Sequence, residues 1–224
     1  MEHKEDGGMK KSVILAFIFM LMFGCGGSAE KATTIQKPAA TAEFITEGVP
    51  QEVIQKGNEA ANKLQTALKT QLVAAIQENG LKGALDFCSE NAQKLTNEVN
   101  LSYQGTVSIK RTTLRFRNEQ NKPDKFEESA LQRIQKSMAD GGTPPDSLVQ
   151  KITQNGNVKY RYYKPLLVGV SCLGCHGDEK KMKPEVLENI RRTYPNGTAT
   201  GYKKGDLRGV VRVEMQTTTS TSDI

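Results

Sequence analysis

The stretch Cys172-Leu173-Gly174-Cys175-His176 is the most informative segment of this 224-residue sequence. Two cysteines separated by two residues, with a histidine directly after the second, form the attachment pattern of a c-type haem. In that pattern the two thiols add to the haem vinyl groups, and the adjacent imidazole becomes the proximal ligand of the iron. The segment therefore predicts one covalently attached haem c, with Cys172, Cys175 and His176 as its anchoring residues.

Three other uses of a Cys-x-x-Cys pair compete with this interpretation: a redox pair, half of a zinc site and a structural disulfide. A zinc site needs two more cysteine or histidine ligands, and after removal of a leader Cys88 is the one further candidate. A thioredoxin-like pair usually belongs to a βαβ unit, which the flanking Gly177 and Asp178 do not suggest. In an exported protein the pattern favours haem.

The N-terminus predicts export. Two lysines after Met9 precede the apolar run Val13–Phe23, which is too short for a spanning helix of roughly 20 residues but suits a signal peptide. We therefore predict a signal peptide at residues 1–24, with Met9 as a candidate start because the acidic segment before it is unlike a signal peptide. The Gly24-Cys25 junction resembles a bacterial lipobox, so we expect Cys25 to be lipidated, with simple cleavage nearby as the alternative.

The segment after this junction is small and polar, as a flexible tether would be. We assign residues 25–46 to the tether, 47–216 to one domain and 217–224 to a disordered tail. The domain is then expected on the periplasmic side of a membrane, held by an N-terminal lipid anchor, and the sequence does not distinguish the inner from the outer membrane.

The composition narrows the possible partners. There are 31 lysines and arginines against 25 acidic residues, a net charge of +6, and the basic residues are scattered rather than clustered. A solvated surface is the simplest explanation, and no nucleic-acid motif is present. We expect no nucleic acid as a partner, and besides the membrane an unidentified redox protein.

Cys88 is a candidate for the second axial ligand. His176 is the one histidine of the mature chain, so the distal ligand must be a methionine, Cys88 or a lysine, unless that position stays open. The methionines concerned are Met138, Met182 and Met215. Cys88 belongs to an apolar stripe with helical spacing, which predicts that it faces the interior as a ligand or as an inert buried thiol. The stripe consists of Leu81, Leu85, Cys88, Ala92, Leu95 and Val99.

The sequence resembles the Tll0287-like haem family, also described as domain of unknown function 3365, over roughly residues 50–216. The resemblance rests on short segments that occur in the same order. They are Cys88, Lys110–Asn118 with Asn121–Asp124, Cys172–His176, and Tyr194-Pro195 followed by Ala199–Tyr202 and Gly205–Gly209. It implies a single c-type haem on a PAS-like α+β fold, with the Cys88 thiolate opposite His176.

Residue patterns predict the same fold class: a small antiparallel sheet flanked by helices and preceded by a long helix. The expected helices are residues 50–78, ending at Asn79-Gly80, 81–99, one from Pro123-Asp124 and one from Pro184 to about Tyr194. The expected strands are residues 106–117, two runs around Asn155-Gly156 and residues 207–215.

Alternate positions of the predicted strand 106–117 place Arg111, Arg115 and Arg117 on one face, where they could bind the haem propionates or be solvated. Arg111 is the preferred candidate through the family resemblance. Three tyrosines before the haem motif are expected to line the pocket: Tyr160, Tyr162 and Tyr163.

The sequence predicts low-potential one-electron transfer or redox sensing. The alternative is a gas sensor, in which NO or CO displaces Cys88. We do not expect an enzyme, because a peroxidase-like site needs a distal acid–base group, usually histidine, and no second histidine is available.

Overall fold

The computed structural model describes residues 40–217. The predicted signal peptide, Cys25 and residues 218–224 of the predicted tail lie outside them. The described strands are β1 Thr41–Ile45, β2 Ser108–Thr112, β3 Leu148–Gln154, β4 Asn157–Leu167 and β5 Leu207–Met215. The helices are α1 Gln51–Asp86, α2 Ala92–Leu101, α3 Lys125–Ala139, the single turn α4 Leu173–His176 and α5 Pro184–Thr193, with a π-helical turn at Phe87–Asn91 between α1 and α2.

The five described strands form one antiparallel sheet in the order β1-β3-β4-β5-β2. Side chains of β5 alternate between its two faces. Val211 and Val213 pack against α1 and α2, whereas Val210 packs against α3. Helices therefore cover both faces, and the predicted α+β, PAS-like architecture is confirmed.

The predicted break in the long first helix is confirmed. Asn79 and Gly80 have non-helical backbone angles inside α1, and Gly80 has a φ of +60°. A positive φ is accessible to glycine at little cost. The buried residues Val53, Ala60 and Leu64 before the break pack on the sheet, and Leu85 after it packs against α5.

Two further local signals are confirmed. Asn155 and Gly156 both have positive φ and join β3 to β4 as a two-residue turn, which is the conformation that such hairpins favour. The Asp124 side chain caps α3 by accepting from the Phe126 and Glu127 amides, and the Glu127 carboxylate accepts from the Asp124 amide in return.

The predicted tether, residues 25–46, extends too far along the chain. Thr41–Ile45 forms the edge strand β1, paired with β3. Phe44 anchors this strand, because its ring packs near α3 and lies 4.9 Å from the guanidinium carbon of Arg133. The predicted strand 106–117 is also too long, because β2 ends at Thr112. The hydroxyl of Thr113 there donates to the Arg208 carbonyl at 2.6 Å, and the chain leaves the sheet.

Glu127 belongs to α3 and is a fully buried carboxylate that bonds to residues of β2 and β5. It accepts from Lys110 Nζ at 2.7 Å and from Arg212 Nε at 3.2 Å. Arg212 also donates to the Ser108 carbonyl at 2.9 Å, so this ion cluster ties the helix to both strands. Removing one member of such a cluster leaves buried charge without a partner.

We predict that Glu127→Gln lowers the free energy of unfolding by about 3 kcal/mol, because Lys110 and Arg212 lose their shared counter-charge. Glu128→Gln is the matched control, since Glu128 is an exposed neighbour on the same helix. Urea unfolding followed by circular dichroism measures both variants. An equal decrease in the free energy of unfolding for both variants would contradict the structural role assigned to Glu127.

Candidate haem site

A cavity lies where the end of β2, the end of β4 and the start of β5 meet α4 and the π-helical turn. Its lining contains Cys88 from the π-helical turn, His176 from α4 and Tyr194 from the end of α5. The remaining lining residues come from the sheet and the loop after β2: Arg111, Thr112, Thr113, Arg117, Asn118, Asn121, Leu166, Arg208 and Gly209. The fold thus brings Cys88, Arg111 and His176 together in one cavity.

The single helical turn that carries His176 is held by the segment Ala199–Tyr202. The Gly201 amide donates to the Gly177 carbonyl at 2.6 Å, and the Tyr202 amide donates to the His176 carbonyl at 2.9 Å. These bonds satisfy carbonyls that a helix end leaves without an intrahelical partner. A four-residue helix is too short to be stable alone, so this segment fixes the position of the motif.

The imidazole of His176 is oriented by the same segment. Its Nδ1 lies 2.8 Å from the Ala199 carbonyl oxygen, which can only accept, so Nδ1 carries the proton. Burial, together with the charges of Arg208 and Arg117, holds the pKa of His176 well below its usual range. The ring is therefore neutral, and Nε2 retains the lone pair that a metal ligand needs.

Cys88 lies in a π-helical turn rather than in a regular α-helix. The turn spans Phe87–Asn91 and widens the backbone between α1 and α2. Such single π turns occur frequently at functional sites. Burial raises the pKa of the Cys88 thiol, while the nearby charges of Arg111, Arg117 and Arg208 oppose that rise. The site thus surrounds a buried sulfur with positive charge.

The cavity is strongly basic. Arg111, Arg117 and Arg208 line it, and among the described lining residues there is no carboxylate. Burial lowers the pKa of all three guanidinium groups. Within residues 40–217, the buried Nε atoms of Arg111 and Arg117 have no hydrogen-bond acceptor. Buried, unpartnered donors of this kind indicate a site that is completed by an anionic ligand.

The arginines are nevertheless held in place by backbone carbonyls. Arg117 donates to the Cys175 carbonyl and, at 3.3 Å, to the Ala199 carbonyl that also accepts from His176. Arg208 donates to the Arg115 carbonyl at 3.2 Å. Arg111 donates to the Gln93 side chain at 3.4 Å. These contacts use the ends of the side chains and leave the two Nε atoms unsatisfied.

Cys172 directly precedes the motif turn and Cys175 lies within it; both are free thiols, and neither is among the described residues that line the cavity. Cys172 packs beside Val168 and Tyr202, and its sulfur accepts from the Gly169 amide at 3.3 Å. Cys175 packs in an apolar cluster with Leu85 and Met182. In the described part of the chain, no group of three or more Cys, His, Asp and Glu residues could hold a metal ion.

The prediction that three arginines share one face of a strand is wrong, because Arg115 and Arg117 follow the end of β2. Arg117 still reaches the cavity through the loop, whereas the guanidinium carbon of Arg115 lies 4.1 Å from the ring centroid of Tyr202. Arg208 also lines the cavity, although it was not predicted from the sequence as a site residue. It belongs to the segment Gly205–Gly209 on which the family resemblance rests, and that was the available signal.

The prediction that tyrosines line the pocket is also wrong. The Tyr163 hydroxyl donates to Gln150 at 2.8 Å, and its ring packs against α3. Tyr162 and Tyr160 belong to the core between the sheet and α1. Tyr162 contacts Gly57 so closely that a Cβ at Gly57 would lie 2.4 Å from its ring. The tyrosine that reaches the cavity is Tyr194.

Fold and site together define an α+β protein with a basic cavity that holds a neutral histidine and a buried cysteine. The family model described as Tll0287-like matches residues 32–215, so the chain belongs to the Tll0287-like family. Among solved structures the fold is similar to that of the cyanobacterial haem protein Tll0287, with a TM-score of 0.52 and 20% sequence identity. That match covers 75% of this chain and 97% of the other. No protein in the search of curated proteins gives a significant match.

We predict that Gly209→Ala destabilises the protein by about 1–3 kcal/mol, the usual range for overpacking. A Cβ at Gly209 would lie 2.5 Å from the Thr112 carbonyl oxygen and 2.9 Å from Thr113 Cβ, which forces β5 away from β2 beside the cavity. Gly169→Ala is the control, because its Cβ would have ordinary contacts, the nearest at 3.8 Å. Chemical unfolding compares them, and a control as unstable as Gly209→Ala would refute the steric explanation.

Proposed function

We propose that this protein is a monohaem c-type cytochrome whose haem is attached through Cys172 and Cys175 and ligated by His176 and Cys88. The observation that carries the proposal is one cavity that contains a neutral histidine, a buried thiol and three guanidinium groups. The family membership and the likeness to a haem protein support it.

The residues present fit a haem in three respects. The His176 ring keeps its Nε2 lone pair, as a proximal ligand requires. The thiols of Cys172 and Cys175 are free and lie on the same turn as His176. The unsatisfied Nε atoms of Arg111 and Arg117 suit the two propionates of a haem, because guanidinium groups bind carboxylates through paired hydrogen bonds.

Cys88 is favoured as the distal ligand over the other candidates. Met138 belongs to α3 and packs on the core between that helix and the sheet, Met215 lies in the core beneath α1, and Met182 packs with Cys175. No methionine and no lysine is among the described residues that line the cavity with His176. Burial raises the pKa of the Cys88 thiol, and the positive charges of Arg111, Arg117 and Arg208 oppose that rise, in the direction of the thiolate that ligation requires.

A bound haem supplies a one-electron couple, and axial ligands can move its potential across roughly 0.8 V. A thiolate donates electron density and favours the oxidised iron. A haem held by both His176 and Cys88 would have no free coordination position for a substrate. This arrangement supports low-potential electron transfer or redox sensing rather than enzymatic catalysis.

We further propose that the domain acts outside the cytoplasm, on the periplasmic side of a membrane, with an anchor at Cys25 and an unidentified redox protein as its partner. The apolar run Val13–Phe23 and the Gly24-Cys25 junction support export and lipidation. In the part of the chain that the structure describes, no helix has the length and hydropathy required to span a membrane.

The first test uses protein expressed in an exporting host that has haem-maturation machinery. We expect the denatured wild type to keep one haem, and Cys172→Ser/Cys175→Ser to lose covalent attachment. We expect Cys88→Ala to keep the haem but to convert its oxidised optical spectrum from low-spin thiolate to high-spin. Met182→Leu is the control and should leave the spectrum unchanged. Wild-type protein without covalent haem would refute the proposal, and a low-spin spectrum in Cys88→Ala would refute the Cys88 ligand.

A gas sensor is the second candidate function, favoured by the position of Cys88 in a π-helical turn. A ligand on such a turn can leave with a local change to regular helix. Carbon monoxide added to the reduced holoprotein separates the candidates. A sensor is expected to bind the gas with a large change in the optical spectrum, whereas an unchanged spectrum would eliminate the sensor and leave the electron carrier.

A further inference from the structure

A second concave surface lies directly beside the haem-attachment turn and is separate from the cavity. We name it the lysine groove; its lining residues are Leu173, Gly177, Asp178, Lys181, Gly201, Tyr202, Lys203 and Lys204. Leu173 and Gly177 bracket the turn that carries Cys175 and His176. The groove is therefore the outer surface of the segment that would hold the haem.

The groove is positively charged and its charges are available. Lys181, Lys203 and Lys204 are exposed, and within residues 40–217 none of them forms an ion pair. The one acid that lines the groove, Asp178, accepts from the Lys180 amide at 3.0 Å, and the three lysines outnumber it. Solvated lysines that have no local partner attract an acidic surface over distances of about 8 Å at physiological salt.

Two exposed apolar residues lie on the segment that is hydrogen-bonded to the loop carrying Lys203 and Lys204. Val170 is 68% exposed and Leu167 is 45% exposed, although most large apolar side chains of the described residues are covered. Both flank Val168, whose amide donates to the Asp206 carbonyl at 2.9 Å and whose carbonyl accepts from the Gly205 amide at 2.8 Å. These bonds join the apolar pair to the loop that carries Lys203 and Lys204. An apolar spot with a charged rim is typical of a protein interface.

We propose that the lysine groove, with Val170 and Leu167, is the docking surface for a redox protein that has an acidic patch. The inference rests on the proposed function, because it supplies the partner for electron transfer. Charge complementarity selects an acidic partner, and the exposed apolar pair favours a protein over a small anion. Docking there would set the partner against the Cys172–His176 turn, so that one electron could pass between the partner and the proposed haem, the donor being oxidised by one electron as the acceptor is reduced by one.

The test compares two double variants of the holoprotein that change net charge equally. Lys203→Glu/Lys204→Glu reverses the charge of two groove lysines. Lys69→Glu/Lys94→Glu reverses the charge of two exposed lysines on α1 and α2. The readouts are oxidation of the reduced protein by anionic ferricyanide and by cationic hexaammineruthenium, and nuclear magnetic resonance titration with a polyglutamate peptide. Lys203→Gln/Lys204→Gln serves as a milder variant if charge reversal prevents folding.

We expect charge reversal in the groove to slow oxidation of the protein by ferricyanide about tenfold at ~10 mM salt. The same variant should be oxidised faster by hexaammineruthenium, and both effects should disappear near ~0.5 M salt. The control should change either rate by less than about twofold. The peptide should shift amide resonances of Lys203, Lys204 and Val170 in wild type but not in the groove variant. Equal rates for the two variants, or peptide shifts elsewhere, would overturn the docking surface.

Membrane binding is distinguished in the same series. If groove reversal abolishes binding to phosphatidylglycerol vesicles but leaves the ferricyanide rate unchanged, the groove faces lipid and the proposal is wrong. Mass measurement of the denatured protein reports haem attachment independently. Loss of haem in wild type therefore counts against the proposed function, whereas intact haem with no groove effect counts against the docking surface alone.

Discussion

Three guanidinium groups share one cavity in this protein, and no carboxylate from the described residues balances them there. Burying like charges together is costly unless something compensates. The compensation in the protein itself is partial: backbone carbonyls of Arg115, Cys175 and Ala199 accept hydrogen bonds, and two Nε atoms stay unsatisfied. The proposed haem, with its two propionates, would balance these charges at the point where the sheet edge, the motif turn and the π-helical turn meet.

Strand β5 connects this site with the core. Arg208, at its start, faces the cavity, and four residues later Arg212 joins the Glu127 ion cluster on the α3 side. Between them Val210 and Val211 pack on opposite faces of the sheet. One strand therefore carries two arginines whose positive charges have different surroundings. Arg212 has a buried carboxylate partner within the protein, whereas Arg208 shares its surroundings with two further cations.

Local patterns predicted much of the fold, because turns and caps depend on a few neighbouring residues. The Asn155-Gly156 hairpin, the Asp124 cap and the break at Asn79-Gly80 are of this kind. The family resemblance, and not a local pattern, implied that Cys88 lies opposite His176; both residues line one cavity. Other elements depend on tertiary contacts. Strand β1 forms because Phe44 packs near α3, and β2 ends where the Thr113 hydroxyl donates to the Arg208 carbonyl. The π-helical turn at Cys88 leaves the apolar spacing of three and four intact, so periodicity could not reveal it.

The strand order has a consequence for the timing of folding. Strand β5 separates β4 from β2 and is the last described strand along the chain, so the sheet cannot close until residues 207–215 are available. Pairings of distant segments form late because loop closure costs entropy before contacts repay it. The attachment turn precedes β5 by about thirty residues in this sequence. The proposed attachment of a haem to this turn could therefore precede the insertion of β5 between β4 and β2.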